Sequence, residues 1–281
     1  MSMSRTAKIE TLISADQKVP GIIANLRTLY QYRELLYTLA TRDIKVRYKQ
    51  SALGIAWAIM RPLSLMLIFT IVFSRLARIP SEGIAYPIFS YCALLPWTLF
   101  AASLTLASQS LVNNMSLVTK IYFPREVFPF ASVAACFVDF AVASSIFVGM
   151  MVYYHVGLTL NALWIPVIVL VQVLFVLGVS LFTSAVNVYY RDIRHVIPVA
   201  VQLWMYATPI IYPITLIPEK YRDLYMLNPM AVIIDSYRRI LLSGQPPNLI
   251  QLALAAMITV CLFLSGYIYF KHVEPGFADI I

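Results

Sequence analysis

Long apolar runs alternate with short polar or basic segments along this chain. Six runs stand out, at residues 53–73, 86–112, 127–153, 162–188, 196–214 and 249–270. A helix of about 20 such residues crosses the ~30 Å hydrocarbon layer. Backbone inside lipid has to satisfy its own hydrogen bonds, so runs of this length predict helices rather than a barrel. The pattern predicts an all-α polytopic membrane protein with six transmembrane helices.

Between the runs the periodicity changes. Over 32–50, Tyr32, Leu35, Leu36, Leu39, Ala40 and Val46 share one side of a helix, and Glu34, Arg42, Lys45 and Lys49 share the other. A basic face opposite an apolar face suits the headgroup boundary. Asp43 and Arg47 intrude on the apolar side. Two readings stand: an N-terminal amphipathic interface helix, and a helix packed on a soluble partner. The next segment, 113–126 (NNMSLVTKIYFPRE), is too polar to continue either neighbouring run. Asn114 or Ser116 can cap a short helix there and Pro124 ends it. Leu117 and Ile121 would share one face and Lys120 another. This is either a coupling segment that plugs into a soluble partner or a plain connector.

Residues 215–248 contain a complete helix signature, NPMAVIIDSYRRILLSG. Asn228 suits the N-cap, Pro229 the first helical position and Gly244 the C-terminal break. Ile233, Tyr237, Ile240 and Leu241 fall on one face, opposite Asp235, Arg238 and Arg239. A helix of about 14 residues is about 21 Å long, too short to cross. Short external helices, re-entrant or interfacial, are therefore expected before the last span, with another near 218–227.

Composition agrees with a membrane protein: 60% of residues are hydrophobic and only 12% charged, against about 25% charged in a soluble chain. The soluble segments are too short for a second domain, which leaves a single membrane domain over 31–281 and an unassigned cytoplasmic segment at 1–30. The net charge of +8 raises a nucleic-acid partner, but the position of the charges points to the membrane. Residues 1–61 hold ten Lys/Arg against four Asp/Glu, and short basic loops stay in the cytoplasm. With the N-terminus inside and six crossings, the 271–281 tail is also cytoplasmic. That arrangement puts 15 Lys/Arg inside and six outside. The first 52 residues show no secretory signal pattern.

The candidate chemistry is that of passage rather than bond making. Cys92, Cys136 and Cys261 lie in predicted spans, and neither they nor the three histidines show metal-ligand spacing. A charge at the bilayer centre costs roughly 2.5–3.5 kcal/mol on insertion scales, which singles out Arg61 and Asp139. Arg61 either meets an anionic group at the inner mouth of a pathway or snorkels to the interface. Asp139 reads as an interhelical hydrogen-bonding group, as do Gln172, Asn187 and Gln202. Trp57, Trp97, Trp204, Tyr206 and Tyr212 are candidate aromatics lining a pathway. For Trp97 and Trp164 the aromatic belt at the membrane interfaces is the competing reading.

Seven segments in one order carry a resemblance: YKQSALGIAWAIMRP, YPIFSYCALLPWTLF, KIYFPREVFP, NVYYRDIRHVIPV, QLWMYATPIIYP, MLNPMAVIIDSYRRILL and EPGFADII. From about residue 30 to the end the chain resembles permease subunits of ABC exporters for lipid-linked polysaccharides and polyol-phosphate polymers. The resemblance implies an export domain in the bacterial inner membrane that pairs with a second copy of itself and two ATPase subunits. ATP and magnesium would bind the partner, with no cofactor on this chain, and the phosphate loop G-x-x-x-x-G-K-[ST] is indeed missing from the sequence. It implies ATPase contacts through Arg42 on the interface helix, through Leu117, Lys120, Ile121 and Arg125, and through Arg191 and Arg194. The external helices, with Asn228, Pro229, Tyr237, Arg238 and Arg239, would guard the exit. The implied substrate is an undecaprenyl-linked polysaccharide of O-antigen type. Rival readings are an exporter of teichoic acid, capsule, small lipids or drugs, and a membrane-embedded glycosyl or phospho-alcohol transferase.

Overall fold

A computed structural model of the chain describes residues 22–49, 51, 53–120 and 123–277, which are almost wholly helical with no strand among them. The first 21 residues, Ile121 and the last four lie outside the described residues. Helices α1 (Ile22–Gln31) and α2 (Arg33–Tyr48) lead into α3 (Ala56–Phe69), which runs on as a π-helical stretch, Thr70–Leu76. Then come α4 (Tyr86–Gln109), α5 (Met115–Lys120), α6 (Val127–Tyr153) and α7 (Ile165–Tyr189). After these follow α8 (Ile193–Tyr206), α9 (Glu219–Tyr225), α10 (Pro229–Leu241) and α11 (Leu249–Val273).

Among the described residues five helices are long and apolar enough to cross a membrane: Ala56–Leu76, Tyr86–Gln109, Val127–Tyr153, Leu160–Tyr189 and Leu249–Gly276. Their bounds fall within a few residues of five of the six predicted spans. The sixth, 196–214, differs. Its helix α8 has 14 residues, about 21 Å, and the chain leaves helical geometry after Tyr206. Pro209 and Pro213 each remove a backbone donor and favour a kink or break; α8 continues past Pro198, as α3 and α4 continue past Pro62 and Pro96, but it does not resume after this pair. The apolar run continues, but the helix does not.

α4 is the most buried of the five and packs on α3, α6, α7, α8 and α10. It runs parallel to α7: the Gln172 amide donates to the Pro96 carbonyl and the Asn187 amide to the Ser108 carbonyl, both at 2.9 Å. These are the interhelical bonds expected of buried amides, whereas Gln202 is exposed on α8. α8 starts beside the end of α7 and is antiparallel to α4. The Tyr86 hydroxyl, at the start of α4, donates to the Ile211 carbonyl at 2.8 Å. So α8 with its irregular extension runs the length of α4.

α7 and α11 touch at backbone distance. A Cβ on Gly178 would lie 2.7 Å from Phe263 Cα, and one on Gly266 would run into the Gly178 carbonyl. Small residues permit this approach, and in lipid it is packing rather than the hydrophobic effect that drives helix association. Gly266→Val should therefore force α7 and α11 apart. We expect a loss of about 1–3 kcal/mol, read as a lower midpoint of thermal unfolding in detergent. An unchanged midpoint would mean that the contact is not tight.

Candidate functional site

A cavity of about 990 Å³ lies between the end of α2 and helices α3, α4 and α6. Its chemistry comes from Arg47 and Tyr48 on α2, Trp57 and Arg61 on α3, Trp97 on α4 and Asp139 on α6. α2 reaches it by docking on α6. Tyr32, Leu35, Leu36, Leu39 and Ala40 pack into an apolar cluster that includes Val118 and Phe128. Val46, assigned to the same face by its spacing, is instead 75% exposed. The two charges that broke the apolar face now have partners. Asp43 lies 3.5 Å from the Ser132 hydroxyl and 2.8 Å from Arg42. Arg47 donates to one Asp139 oxygen, and the Tyr48 hydroxyl donates to the other at 2.6 Å.

Asp139 stands twelve residues into α6, about 18 Å from its start, so α2 climbs beside α6 to that level. Burial, and then the neighbouring carboxylate, push the Tyr48 phenol up to about 12; it stays protonated and acts as the donor. Arg61 is exposed and makes no ion pair or hydrogen bond among the described residues. Trp97 is only 3% exposed and about 17 Å into α4. That depth overturns its assignment to an interfacial belt. Trp164 stands at the start of α7. The structure thus gathers Trp57, Arg61 and Trp97 around one cavity, and adds Arg47, Tyr48 and Asp139.

Trp204, Tyr206 and Tyr212 belong to a second region. Trp204 meets Phe100 and Phe175 edge-on, at 5.1 and 6.0 Å between centroids. Tyr206 is 53% exposed. Tyr212 donates to the Tyr206 carbonyl at 3.2 Å and lies 2.6 Å from the Tyr225 hydroxyl. Here α9 and α10 form a hairpin, with α10 packed on α4, α7 and α11. Thr215 bonds Glu82 near the start of α4, while Tyr221, Leu224 and Asn228 share a 580 Å³ cavity with Phe175 and Ile258. Those two residues lie about 15 and 14 Å into their helices. From this depth α10 returns to Gly244, whose carbonyl accepts from Asn161 at 2.7 Å. The local signature is present as predicted: Asn228 Oδ1 accepts from the Met230 amide, Pro229 opens α10, and Gly244 has a φ of +64°.

Arg238 departs from its predicted place. Spacing set it on a polar face with Asp235 and Arg239, yet it is 7% exposed. Its guanidinium lies 3.6 Å from the centroid of the Phe89 ring. It donates to the carbonyls of Pro209 at 2.5 Å, Ile210 at 2.6 Å and Tyr212 at 3.2 Å. Together with Tyr86 on Ile211, side chains take all four carbonyls from 209 to 212. Tyr237 is buried within 3.4 Å of Gln172, and Arg239 donates to the Pro246 carbonyl.

The opposite end of the bundle holds the expected coupling residues. Lys120, Arg191 and Arg194 are exposed and Leu117 is half-buried; Ile121 lies outside the described residues. Arg42 is engaged by Asp43. Arg125 is tied to the C-terminal segment: its amide donates to Glu274 Oε1 at 2.9 Å and its guanidinium to the Glu274 carbonyl. Beside it Lys271 bridges the buried Glu126, at 2.6 Å, and Glu274, at 2.9 Å. Burial and the nearby Glu274 raise the Glu126 carboxyl above the usual range, and Lys271 opposes the shift. Sequence reasoning missed this cluster; its one signal was charge next to the ends of two spans. Among the described residues no three His, Cys, Asp or Glu side chains converge as metal ligands.

Comparison with known proteins bears on what this arrangement is for. The family model described as ABC-2 type transporter matches residues 34–242. The chain is 32% identical over 264 residues to the O-antigen export system permease protein RfbA of Myxococcus xanthus, covering 92% of this chain and all of that one. It is 30% identical to the protein of the same name from Klebsiella pneumoniae, covering 88% of this chain and 95% of the relative. To the polysialic acid transport protein KpsM of Escherichia coli it is 21% identical, over 85% of this chain and 93% of the other.

Replacing Arg238 by Leu would strand three carbonyls in an apolar setting, at about 1–3 kcal/mol for each buried unsatisfied group. We expect too little folded protein for purification, with Arg238→Lys recovering part of it. A Leu variant that folds and melts like the parent would remove the guanidinium from this role.

Proposed function

Because the chain belongs to the ABC-2 type transporter family, we propose that it is the permease of an ATP-driven exporter. Its cargo on this reading is a lipid-linked polysaccharide of O-antigen type, moved across the bacterial inner membrane. The observation that carries the reading is identity of 30% or more to O-antigen export permeases along nearly the whole chain. The cavity adds chemical support. Indole faces stack weakly on sugar C–H surfaces, and weak, repeated contacts suit a polymer that has to slide. A capsule-type polymer is the second reading, favoured by the similarity to KpsM at lower identity.

On this proposal two copies pair and two separate ATPase subunits dock on the cytoplasmic side. Both termini lie on that side too. Arg191, Arg194 and Lys120 offer the ATPase an exposed basic surface, and Leu117, Arg42 and Arg125 are assigned to the same contact, as is Ile121, which lies outside the described residues. The hairpin of Asn228, Pro229, Tyr237, Arg238 and Arg239 faces outward. Tyr206 and Tyr212 stand beside it on the outer part of the route.

Deleting the gene in its host should abolish surface polysaccharide while lipid-linked polymer accumulates inside the cell. Normal surface polysaccharide in the deletion strain would refute the exporter reading. The coupling surface has a separate test. Arg191→Glu with Arg194→Glu reverses two exposed charges and leaves the core alone, so the chain should purify normally. Capture of the co-expressed ATPase should fall about tenfold and become less sensitive to salt, as expected where rim charges steer association. Undiminished capture would place the ATPase elsewhere.

A further inference from the structure

The 990 Å³ cavity carries an imbalance of charge. Its ionisable wall consists of two guanidinium groups, Arg47 and Arg61, against one carboxylate, Asp139. Asp139 is fully engaged, one oxygen by Arg47 and the other by Tyr48. Arg47 is not. Of its five N–H donors one goes to Asp139, a second meets only the Cys136 sulfur at 4.0 Å, and the Tyr48 hydroxyl is a further neighbour. Arg61 has no partner among the described residues and opens onto the same space. An unpaired cation at membrane depth is costly, and a guanidinium presents a planar fork suited to two oxygens of one phosphate.

We propose that this cavity binds a phosphate-bearing lipid headgroup, with Arg61 as its first ligand and Arg47 recruited from Asp139 as the second. The cavity then has a built-in competition. The entering phosphate and the Asp139 carboxylate share one guanidinium, so Asp139 holds the affinity down and returns Arg47 to its resting place when the ligand leaves. A site for transient cargo needs this property, because a headgroup held by two free arginines would be slow to depart. The inference rests on the exporter reading only for the source of the lipid, which is either the cargo's prenyl diphosphate or a phospholipid of the bilayer.

The two roles of Asp139 make opposite predictions. If Arg47–Asp139 is a purely structural pair, Arg47→Gln and Asp139→Asn both lower thermal stability and neither changes ligand affinity. If the proposal holds, they act in opposite directions on affinity. The experiment uses the full chain with its ATPase in nanodiscs of phosphatidylcholine. Farnesyl diphosphate, phosphatidylglycerol and uncharged farnesol are titrated separately, and binding is read from tryptophan fluorescence, since Trp57 and Trp97 line the cavity. Arg61→Gln should weaken binding of the phosphate-bearing probe about tenfold, which is about 1.4 kcal/mol. Arg47→Gln should weaken it likewise, and Asp139→Asn should tighten it about threefold by freeing a charge-assisted donor. Farnesol should not bind.

Response to farnesyl diphosphate assigns the site to cargo, and response to phosphatidylglycerol assigns it to the bilayer; either supports a phosphate site. No saturable signal with either probe, unchanged affinity in Arg61→Gln, or weaker binding in Asp139→Asn overturns the proposal. If Arg47→Gln fails to fold, Arg61→Gln and Asp139→Asn still decide the matter. Loss of the exporter reading in the gene deletion would leave this binding result standing, and loss of the binding result would leave export unexplained but intact.

Discussion

Backbone polar groups cannot be left bare in lipid, and the end of the bundle where α4 begins is arranged around one place where the helix gives out. After Tyr206 the chain passes two prolines in turns and bends and does not resume the α-helix. The four carbonyls from Pro209 to Tyr212 would stand open. Arg238 and Tyr86 take all four, and only a guanidinium, with several donors in one plane, spans three of them from a single side chain. α10 has to return into the bundle to deliver that group. The α9–α10 hairpin is thus tied to the break in α8: the carbonyls of Pro209, Ile210 and Tyr212 take their donor from it.

This dependence explains what was legible in the sequence. Five spans, the capping of α10 by Asn228, the proline at its first turn and the glycine at its end are local chemistry, written within a few residues. The break in α8 was visible as Pro209 and Pro213, but hydropathy over 196–214 stays high, and composition alone extended the helix through them. Arg238 was misplaced for a related reason. Periodicity sorts residues by polarity, and its buried partners lie 26 to 29 positions away in sequence. Asp43 and Arg47 were a better signal: charges on an otherwise apolar face mark buried polar partners, although nothing in the local pattern names Asp139, 92 residues on.

At the other end the ionic cluster of Glu126, Lys271 and Glu274 closes the start of α6 onto the end of α11. Buried ion pairs contribute little net stability, because desolvation offsets attraction, but removing one partner leaves a costly bare charge. Their effect here is positional. The segment after α5 is fixed at its far end through Arg125 and Glu126, while Lys120 stays exposed.

A chain of aromatic rings through α4 joins the two cavities. Trp97 faces the charged inner cavity, and Phe100, one turn further along, meets Trp204 at the base of the hairpin; the Trp97 and Phe100 rings are 5.3 Å apart. Packed aromatic rings interdigitate closely and do not deform continuously, so a shift of α3 or α2 that reshapes the inner cavity also bears on Trp204. Trp204 sits two residues before the end of α8, immediately ahead of the carbonyls that Arg238 holds. On the proposed function, a headgroup arriving between Arg61 and Arg47 lies one aromatic chain away from the element that closes the outer end. That proximity provides a physical route by which occupancy at the inner mouth and opening at the outer one are linked, through side chains already in contact and with no separate relay.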